Sequence, residues 1–433
     1  MYSRDEAKAI IDKVFTMAQG HEVQVSLTGS ERSGTRWANS TITTNLIQFD
    51  RSMNIVVRSG SRQGQATTRD FSDAGLREAV NSAIADAKQA AENANMPEWL
   101  GPQQYIPLES ALPSGINFGP KERAMMVKAS IDVSEKRGVV GSGYIPKTDE
   151  TSVTANTKGL FAYFRNAETA FTLTCRMPDG SGSGWAGTTG IKDVSLIDPV
   201  ALTEVASEKA LRSRNPKALE PGRYTVILEP RAHARFLSLL TPILNAGSNL
   251  AFMQGKKAGD KILSDTVTLR SDIGNTQLRQ TTMLQNLTPA KPVTWIEKGV
   301  LRNQSGGPDA PAANPNMSLV MDGSDLSIAD MIKQTRRGLL VTFLWYIRSV
   351  DGATLLNTGM TRDGLFLIEN GEITTPVQNF RWNMSPLVGY NNVSLVGKPV
   401  PMHLGESYDG SGSALVPPVR IEDFYMTSIS PAV

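Results

Sequence analysis

Residues 364–377 admit few conformations. Leu365 and Leu367 alternate within the run up to Ile368, Asn370-Gly371 stands as a two-residue break, and residues 372–377 return with Ile, Thr and Val. A two-residue turn of type I′ needs positive φ at both central positions, and Asn-Gly meets that need at low steric cost. Its twist also matches that of paired strands, so the spacing predicts a β-hairpin with Asn370 and Gly371 at its tip. The hairpin lies within a longer stretch, residues 339–377, LLVTFLWYIRSVDGATLLNTGMTRDGLFLIENGEITTPV.

Local signals place other elements along the chain. Ser3-x-x-Glu6 is a capping box, and Ala7, Ile10, Ile11, Val14 and Phe15 follow at helical spacing, so the chain opens on a helix rather than a signal peptide. Residues 22–27, 37–49, 53–57 and 65–68 read as strands, with a turn at 58–64. Asp73 is placed to cap a helix whose Leu76, Val80, Ala83, Ile84, Ala87 and Ala91 share one face. Pro120 opens a helix over 121–136, and strands are expected at 139–144, 151–157, 159–165 and 169–177.

Residues 179–187, DGSGSGWAG, lack the Lys of a phosphate-binding loop and read as a flexible loop. Asp198-Pro199 starts a helix running to Leu211. Strand 224–228 precedes a helix expected over about 230–247. Residues 303–316 (NQSGGPDAPAANPN) read as a mobile excursion, and a polar-capped helix is expected near 327–334. The pattern is α+β, with mixed or antiparallel sheets and packed helices. It divides into an N-terminal α/β domain (1–100), a middle domain of helices and antiparallel strands (101–216) and a β-rich C-terminal domain (217–433).

Composition narrows the function classes. The chain of 433 residues is 40% hydrophobic and 20% charged, as expected of a globular protein with ample core. Lys plus Arg number 44 against 42 Asp plus Glu, a formal charge of +2 that offers no footprint for nucleic acid or an anionic membrane. Lys256-Lys257 and Arg336-Arg337 read as solvated surface charge. No run approaches the ~20 apolar residues of a membrane span. The single cysteine, Cys175, cannot form an intrachain disulfide and shares the apolar side of a period-2 pattern, so a buried structural thiol in a cytoplasmic protein is expected.

No catalytic constellation is visible in the residues alone. A hydrolytic zinc site needs about three protein ligands, an open position for water and a base nearby. Of the three histidines, His21 precedes Glu22 but has no second His one turn later, and His233 and His403 have no ligand at helical or turn spacing. All three read as surface or partly buried side chains. There is no Gly-x-Ser-x-Gly motif. Glu168 and Asp179 cannot be set across a cleft from sequence, and Asp363 and Glu369 read as solvated charges flanking the first hairpin strand.

Ordered motifs over essentially the whole chain resemble the TldD/PmbA (TldD/TldE) family of cytoplasmic bacterial and archaeal peptidases. They are TRWANS at 35–40, YTVILEP at 224–230, WYIR at 345–348, TRDGLFLIENG at 361–371, PVQNFRWN at 376–383 and VRIEDF at 419–424. The resemblance implies a TldD/PmbA-like multi-domain architecture. In TldD-type members, the helix after the Val-Ile-Leu strand carries His-Glu-x-x-x-His, with two zinc ligands and a general base, and a Cys near the C-terminus adds another ligand. Counted from Pro230, those helix positions fall here at Ser238, Leu239 and Ile243, and residues 405–418 contain no Cys. Pro242 also predicts a kink or early helix end.

The resemblance therefore points to the PmbA/TldE branch. It implies a non-metal-binding subunit of a zinc peptidase complex that encloses and binds unfolded peptide for proteolysis or peptide maturation by a TldD-type partner. Zinc is expected in that partner, with no cofactor in this chain. Tyr346, Arg348, Arg362 and Asn370 are candidate peptide contacts. The alternatives are a homodimeric peptide-binding protein without proteolytic activity, and an enzyme built differently around His233 or His403.

Overall fold

The computed structural model describes residues 1–280, 282–310, 312–406 and 413–430. The chain begins with α1 (Arg4–Met17), β1 (Glu22–Ala38), β2 (Thr41–Ser59), β3 (Arg62–Thr68) and α2 (Asp73–Gln89). After α3 (Pro113–Ile116) come α4 (Pro120–Lys136), β4 (Val140–Asn156), β5 (Phe161–Arg176), β6 (Ser183–Ile191) and α5 (Pro199–Arg212). The six strands form one antiparallel sheet in the order β3-β2-β1-β4-β5-β6. Segments 1–100 and 101–216 thus share a sheet, joined where β1 pairs with β4. Ala7, Ile11 and Val14 of α1 and Leu76, Val80 and Ala83 of α2 bury against Val25, Leu27, Met53 and Ile55. At the far end, Val127 of α4 and Ala206 and Ala210 of α5 bury against Trp37, Ile145, Phe171 and Leu173.

The capping box forms as expected: the Ser3 hydroxyl accepts from Glu6 N, and Glu6 Oε2 accepts from Ser3 N at 2.8 Å. Cys175 is fully buried, within sulfur hydrogen-bond reach of Ser134 and Ser207. Strand boundaries differ from the expectation. The strand expected at 37–49 straddles a turn at Asn39 and Ser40, both at positive φ, and the sheet strands on either side are far longer. Two pairs of expected strands fuse into β4 and β5. Pro146 is tolerated because the β4–β5 ladder is interrupted there, passing from Tyr144 opposite Thr172 to Lys147 opposite Thr169.

The glycine-rich run at 179–187 is not simply a loop, because β6 starts at Ser183. A Cβ on Gly184 would lie 2.4 Å from Ala206 O and from the Lys209 Cβ, so glycine there lets the strand lie directly on α5.

The rest of the chain comprises β7 (Gly222–Leu228), α6 (Pro230–Ser238), β8 (Leu269–Ser271), β9 (Val293–Glu297), β10 (Val300–Leu301), β11 (Leu319–Met321) and α7 (Ile328–Lys333). These lead into β12 (Arg337–Asp351), β13 (Leu356–Glu369), β14 (Glu372–Pro376), β15 (Phe380–Met384) and α8 (Pro386–Asn391). The last strands are β16 (Val393–Val396), β17 (Val400–His403), β18 (Ser413–Val416) and β19 (Val419–Ile429).

One mixed sheet runs β10-β9-β8-β11-β18-β17. In the other, β12, β7, β19, β15 and β13 pair in turn and β13 pairs back to β12, closing a ring with β14 and β16 attached. The predicted hairpin is β13–β14, with Asn370 at φ 51° and Gly371 at φ 82°. Its tip is docked, since Asn370 N donates to Arg336 O and Gly371 N to Thr335 O.

Candidate functional site

The helix on which the sequence resemblance would place the zinc motif is α6, which follows β7. It lies between β7 and β12 of the ring and β17 and β18 of the neighbouring sheet. That placement buries every residue from Arg231 to Leu237, including two arginines and a histidine. Burying such groups is costly unless each has partners. Arg231 and Arg235, one turn apart, face the same segment: Arg231 donates to His403 O (2.8 Å) and Gly405 O (3.0 Å), and Arg235 to Leu404 O (3.2 Å). Glu406 stands 3.6 Å from Arg235 and supplies a countercharge.

His233 contradicts the expectation of a surface or partly buried side chain, being wholly buried, and His403 is 3% exposed. One His233 ring nitrogen, Nδ1, lies 2.6 Å from Pro417 O, which can only accept, so Nδ1 carries the proton. Nε2 then accepts from the Tyr390 hydroxyl at 2.7 Å. Burial pushes the His233 pKa down to about 4, opposed by the bond to Pro417, and the same burial pushes that of Tyr390 well up. This is a neutral histidine engaged at both nitrogens. Phe236 stacks on Tyr390 and meets Trp382 and Phe424, completing an aromatic core under the helix.

The helix stops at Ser238, nine residues short of the expected 247, and a single 3₁₀ turn follows at Thr241–Leu244. Pro242 has no N–H for the helical ladder, which accounts for the break. The Ser238 hydroxyl donates to Arg235 O at 2.8 Å. Leu239 caps the helix and is partly buried against the core, and Ile243 lies fully within it. One hydroxyl already bonded to backbone and two hydrocarbon side chains do not fit a zinc ion or a general base. Among the described residues there is no group of three or more His, Cys, Asp or Glu placed to hold a metal.

Three of the four candidate peptide contacts gather on the β12–β13 hairpin. Tyr346 sits in a bulge at φ 52°, exposed, with the Arg348 guanidinium 4.3 Å from its ring centre. Arg362 lies 5.3 Å from the Trp345 ring centre. Asn370 is eight residues further along β13, about 26 Å away at strand rise, and serves the docked turn.

Beside Arg362, Asp363 departs from the solvated charge expected from sequence. It is 3% exposed, at φ 54°, and burial raises its pKa against the opposing pull of Arg362. Thr342 Oγ1 donates into the carbonyls of Asp363 and Gly364, each at 2.9 Å, and holds this kink. Lys209 of α5 and Glu229, just before α6, form a largely buried pair at 2.6 Å that ties the first sheet to the ring.

Two clefts stand out on the surface. One of about 800 Å³ runs between residues 103–111 and β5, and one of about 410 Å³ lies between residues 180–183 and residues 364–365 and 377–379. Neither is lined by Ser238, Leu239 or Ile243. The interplay of Arg231, His233 and Arg235 was missed from sequence, although arginines four residues apart on an otherwise apolar helix were a usable signal.

Residues 221–305 and 307–428 match the family model of the PmbA/TldA metallopeptidase C-terminal domain. No curated protein sequence matches the chain significantly. A proposed modulator of a DNA gyrase from Thermotoga maritima is similar in structure, with a TM-score of 0.80 and 18% identity over 97% of this chain and 99% of that one. TldE from Thermococcus kodakarensis superposes with a TM-score of 0.79 and 17% identity, covering 98% of this chain and all of its own (100%). A proposed modulator of DNA gyrase from Bacteroides thetaiotaomicron gives 0.75 and 16% over 99% and 100%. The fold is therefore shared over nearly the full length, and by sequence the C-terminal region that forms the ring and its neighbouring sheet belongs to the PmbA/TldD metallopeptidase family.

Proposed function

We propose that this chain is the metal-free subunit of a TldD/TldE-like peptidase assembly in the cytoplasm, enclosing and binding unfolded peptide that a TldD-type partner cuts. The observation that carries this reading is the state of α6. At the positions where the sequence resemblance would set the two imidazoles and the carboxylate stand a backbone-bonded Ser238, a partly buried Leu239 and a core Ile243. The structural likeness to TldE supports it, and no helix among the described residues is long and apolar enough to cross a membrane. Within the proposal, Tyr346, Arg348 and Arg362 offer an aromatic and guanidinium surface on the β12–β13 hairpin for an extended peptide, and Asn370 is left to its turn.

The test is zinc content and cleavage of an unfolded peptide, measured for the chain alone and after mixing with a TldD-type chain bearing His-Glu-x-x-x-His. The chain alone should hold no stoichiometric zinc and cut nothing, with activity arising on mixing. Chelator-sensitive cleavage by the isolated chain would overturn the proposal.

A further inference from the structure

Half of β5 is paired on one side only. β4 runs along its inner edge from Phe161 to Arg176, whereas β6 meets the outer edge only from Thr169 onward. Leu160 O accepts from Asn156 N on the β4 side (3.1 Å), and Ala167 N donates outward to Ser110 O (3.0 Å). Ladder groups alternate in direction along a strand, so the backbone N–H and C=O of Phe161 and Tyr163 point outward. Among the described residues no strand pairs with them, and the isolated bridge of Ser110 with Asn166 lies further along.

The chain itself runs past this edge without joining it. It is anchored where Leu100 O accepts from Asn156 Nδ2 (2.9 Å) and again where Ser110 bridges Asn166. Residues 100 to 110 therefore accompany only residues 160 to 166 of β5, and the surplus bows outward. Pro107 has no N–H to give to a ladder. The Tyr105 hydroxyl donates to Leu287 O at 2.6 Å and holds the bow away from β5. The cleft of about 800 Å³ is the space between bow and edge. Spread along the ~17 Å of residues 161–165, it leaves about 50 Å² in cross-section, and a single strand takes the same, ~4.8 Å by ~10 Å. A helix, about 10 Å across with its side chains, is too wide.

We propose that this cleft takes an extended peptide as an added strand on β5, antiparallel to it, with a carboxylate at the peptide's C-terminal end toward Arg4. The Arg4 guanidinium lies over the rings of Phe161 (4.8 Å) and Tyr163 (5.9 Å) and, among the described residues, forms no ion pair. Arg165, by contrast, is already held by Asp149 at 2.7 and 3.0 Å. Glu109 lines the other end of the cleft, next to Ser110. That polarity sets the peptide's C-terminus at Arg4 and its N-terminus at Glu109. Thr282 also lines the cleft, and its hydroxyl, on a residue 6% exposed, has no hydrogen-bond partner. A buried polar atom in that state is met by a polar atom of a ligand. In naming peptide as the ligand the proposal rests on the proposed function, though on neither α6 nor the partner.

The full chain, without a partner, is titrated into fluorescein-labelled Thr-Val-Thr-Val-Thr-Glu with a free C-terminus, and binding is read by anisotropy. Two further probes carry N-methyl groups on alternate amides, one for each phase, and a third is the C-terminal amide with Gln in place of Glu. The methylated set that faces β5 should bind about tenfold more weakly or worse. Arg4→Glu should weaken the free acid about tenfold and the amide less than about twofold; Arg4 is exposed in the first turn of α1, where a carboxylate suits the helix, so the fold survives. Hydrogen exchange should slow at residues 161–165 on peptide addition and not at 41–51, another edge without a strand partner among the described residues. Protection at 41–51 instead, both methylated probes binding as tightly as the parent, free-acid binding indifferent to Arg4→Glu, or no saturable binding up to about 0.3 mM chain would each overturn the proposal. Cleavage on mixing with a TldD-type chain, without binding here, would overturn this proposal alone, and binding here without cleavage on mixing would overturn the proposed function alone.

Discussion

Replacing His233 with Gln should flatten a particular part of the stability–pH profile. The ring is fully buried and engaged at both nitrogens, with its pKa pushed from 6.5 to about 4. Between those values the unfolded chain binds a proton that the folded chain refuses, so stability rises with pH and is lost as pH falls from 6.5 toward 4. The shift corresponds to about 3.4 kcal/mol when complete, of which ~2 kcal/mol is lost on going from pH 7 to pH 5. The carboxylates with depressed pKa, among them Glu6, Asp70 and Asp193, titrate below this window. Urea unfolding of the natural chain and the variant from pH 7 to pH 5 isolates the effect. Glutamine is less stable at pH 7, because it cannot engage both Pro417 and Tyr390, and the gap should narrow by ~2 kcal/mol by pH 5. Parallel profiles, or a His233 ring titrating above pH 6 by NMR, would refute the buried neutral assignment.

Other perturbations test the packing and the missing site. Gly184→Val drives a side chain into the backbone of α5 and should cost several kcal/mol, about 3 or more, read as a lowered urea midpoint. Lys209→Met leaves Glu229 buried without its cation and should cost about 3–5 kcal/mol, part of which the double variant with Glu229→Gln should recover. Asp363→Asn should be neutral or stabilising near pH 7: burial raises the aspartate pKa, so its contribution falls as pH rises past the ordinary carboxylate range, and the advantage of the amide should grow from pH 4.5 to 7.5 in urea titrations. Grafting Ser238→His, Leu239→Glu and Ile243→His together should destabilise the chain by about 3 kcal/mol or more without conferring stoichiometric zinc by elemental analysis, because Ile243 is core and the helix ends before it.

Features encoded within a few residues were legible in the sequence. The Ser3–Glu6 capping box, the Asn370-Gly371 turn and the Asp198-Pro199 start of α5 depend on local backbone chemistry and form as expected. The absence of a His-Glu-x-x-x-His motif was legible too, since it is a matter of residue identity alone. Features decided by a distant partner were not. Pro146 reads as a strand breaker until β5 skips past it, and Gly184 reads as loop flexibility until α5 lies against it.

The same division runs through the candidate site. Sequence by itself determined that no His-Glu-x-x-x-His follows β7 and that Pro242 would cut the helix short. Only the tertiary structure decided what the rest of the helix does. Enclosing it between the ring and the neighbouring sheet turns His233 into a neutral core residue and sets Arg231 and Arg235 on the carbonyls of residues 403–405. The physical reason is that burial is a property of what surrounds a side chain, and the partners of His233, Tyr390 and Pro417, lie more than 100 residues away in the chain. The exposure of β2 is the converse case: its apolar residues were legible as a strand, and only the sheet order showed that nothing among the described residues covers its edge.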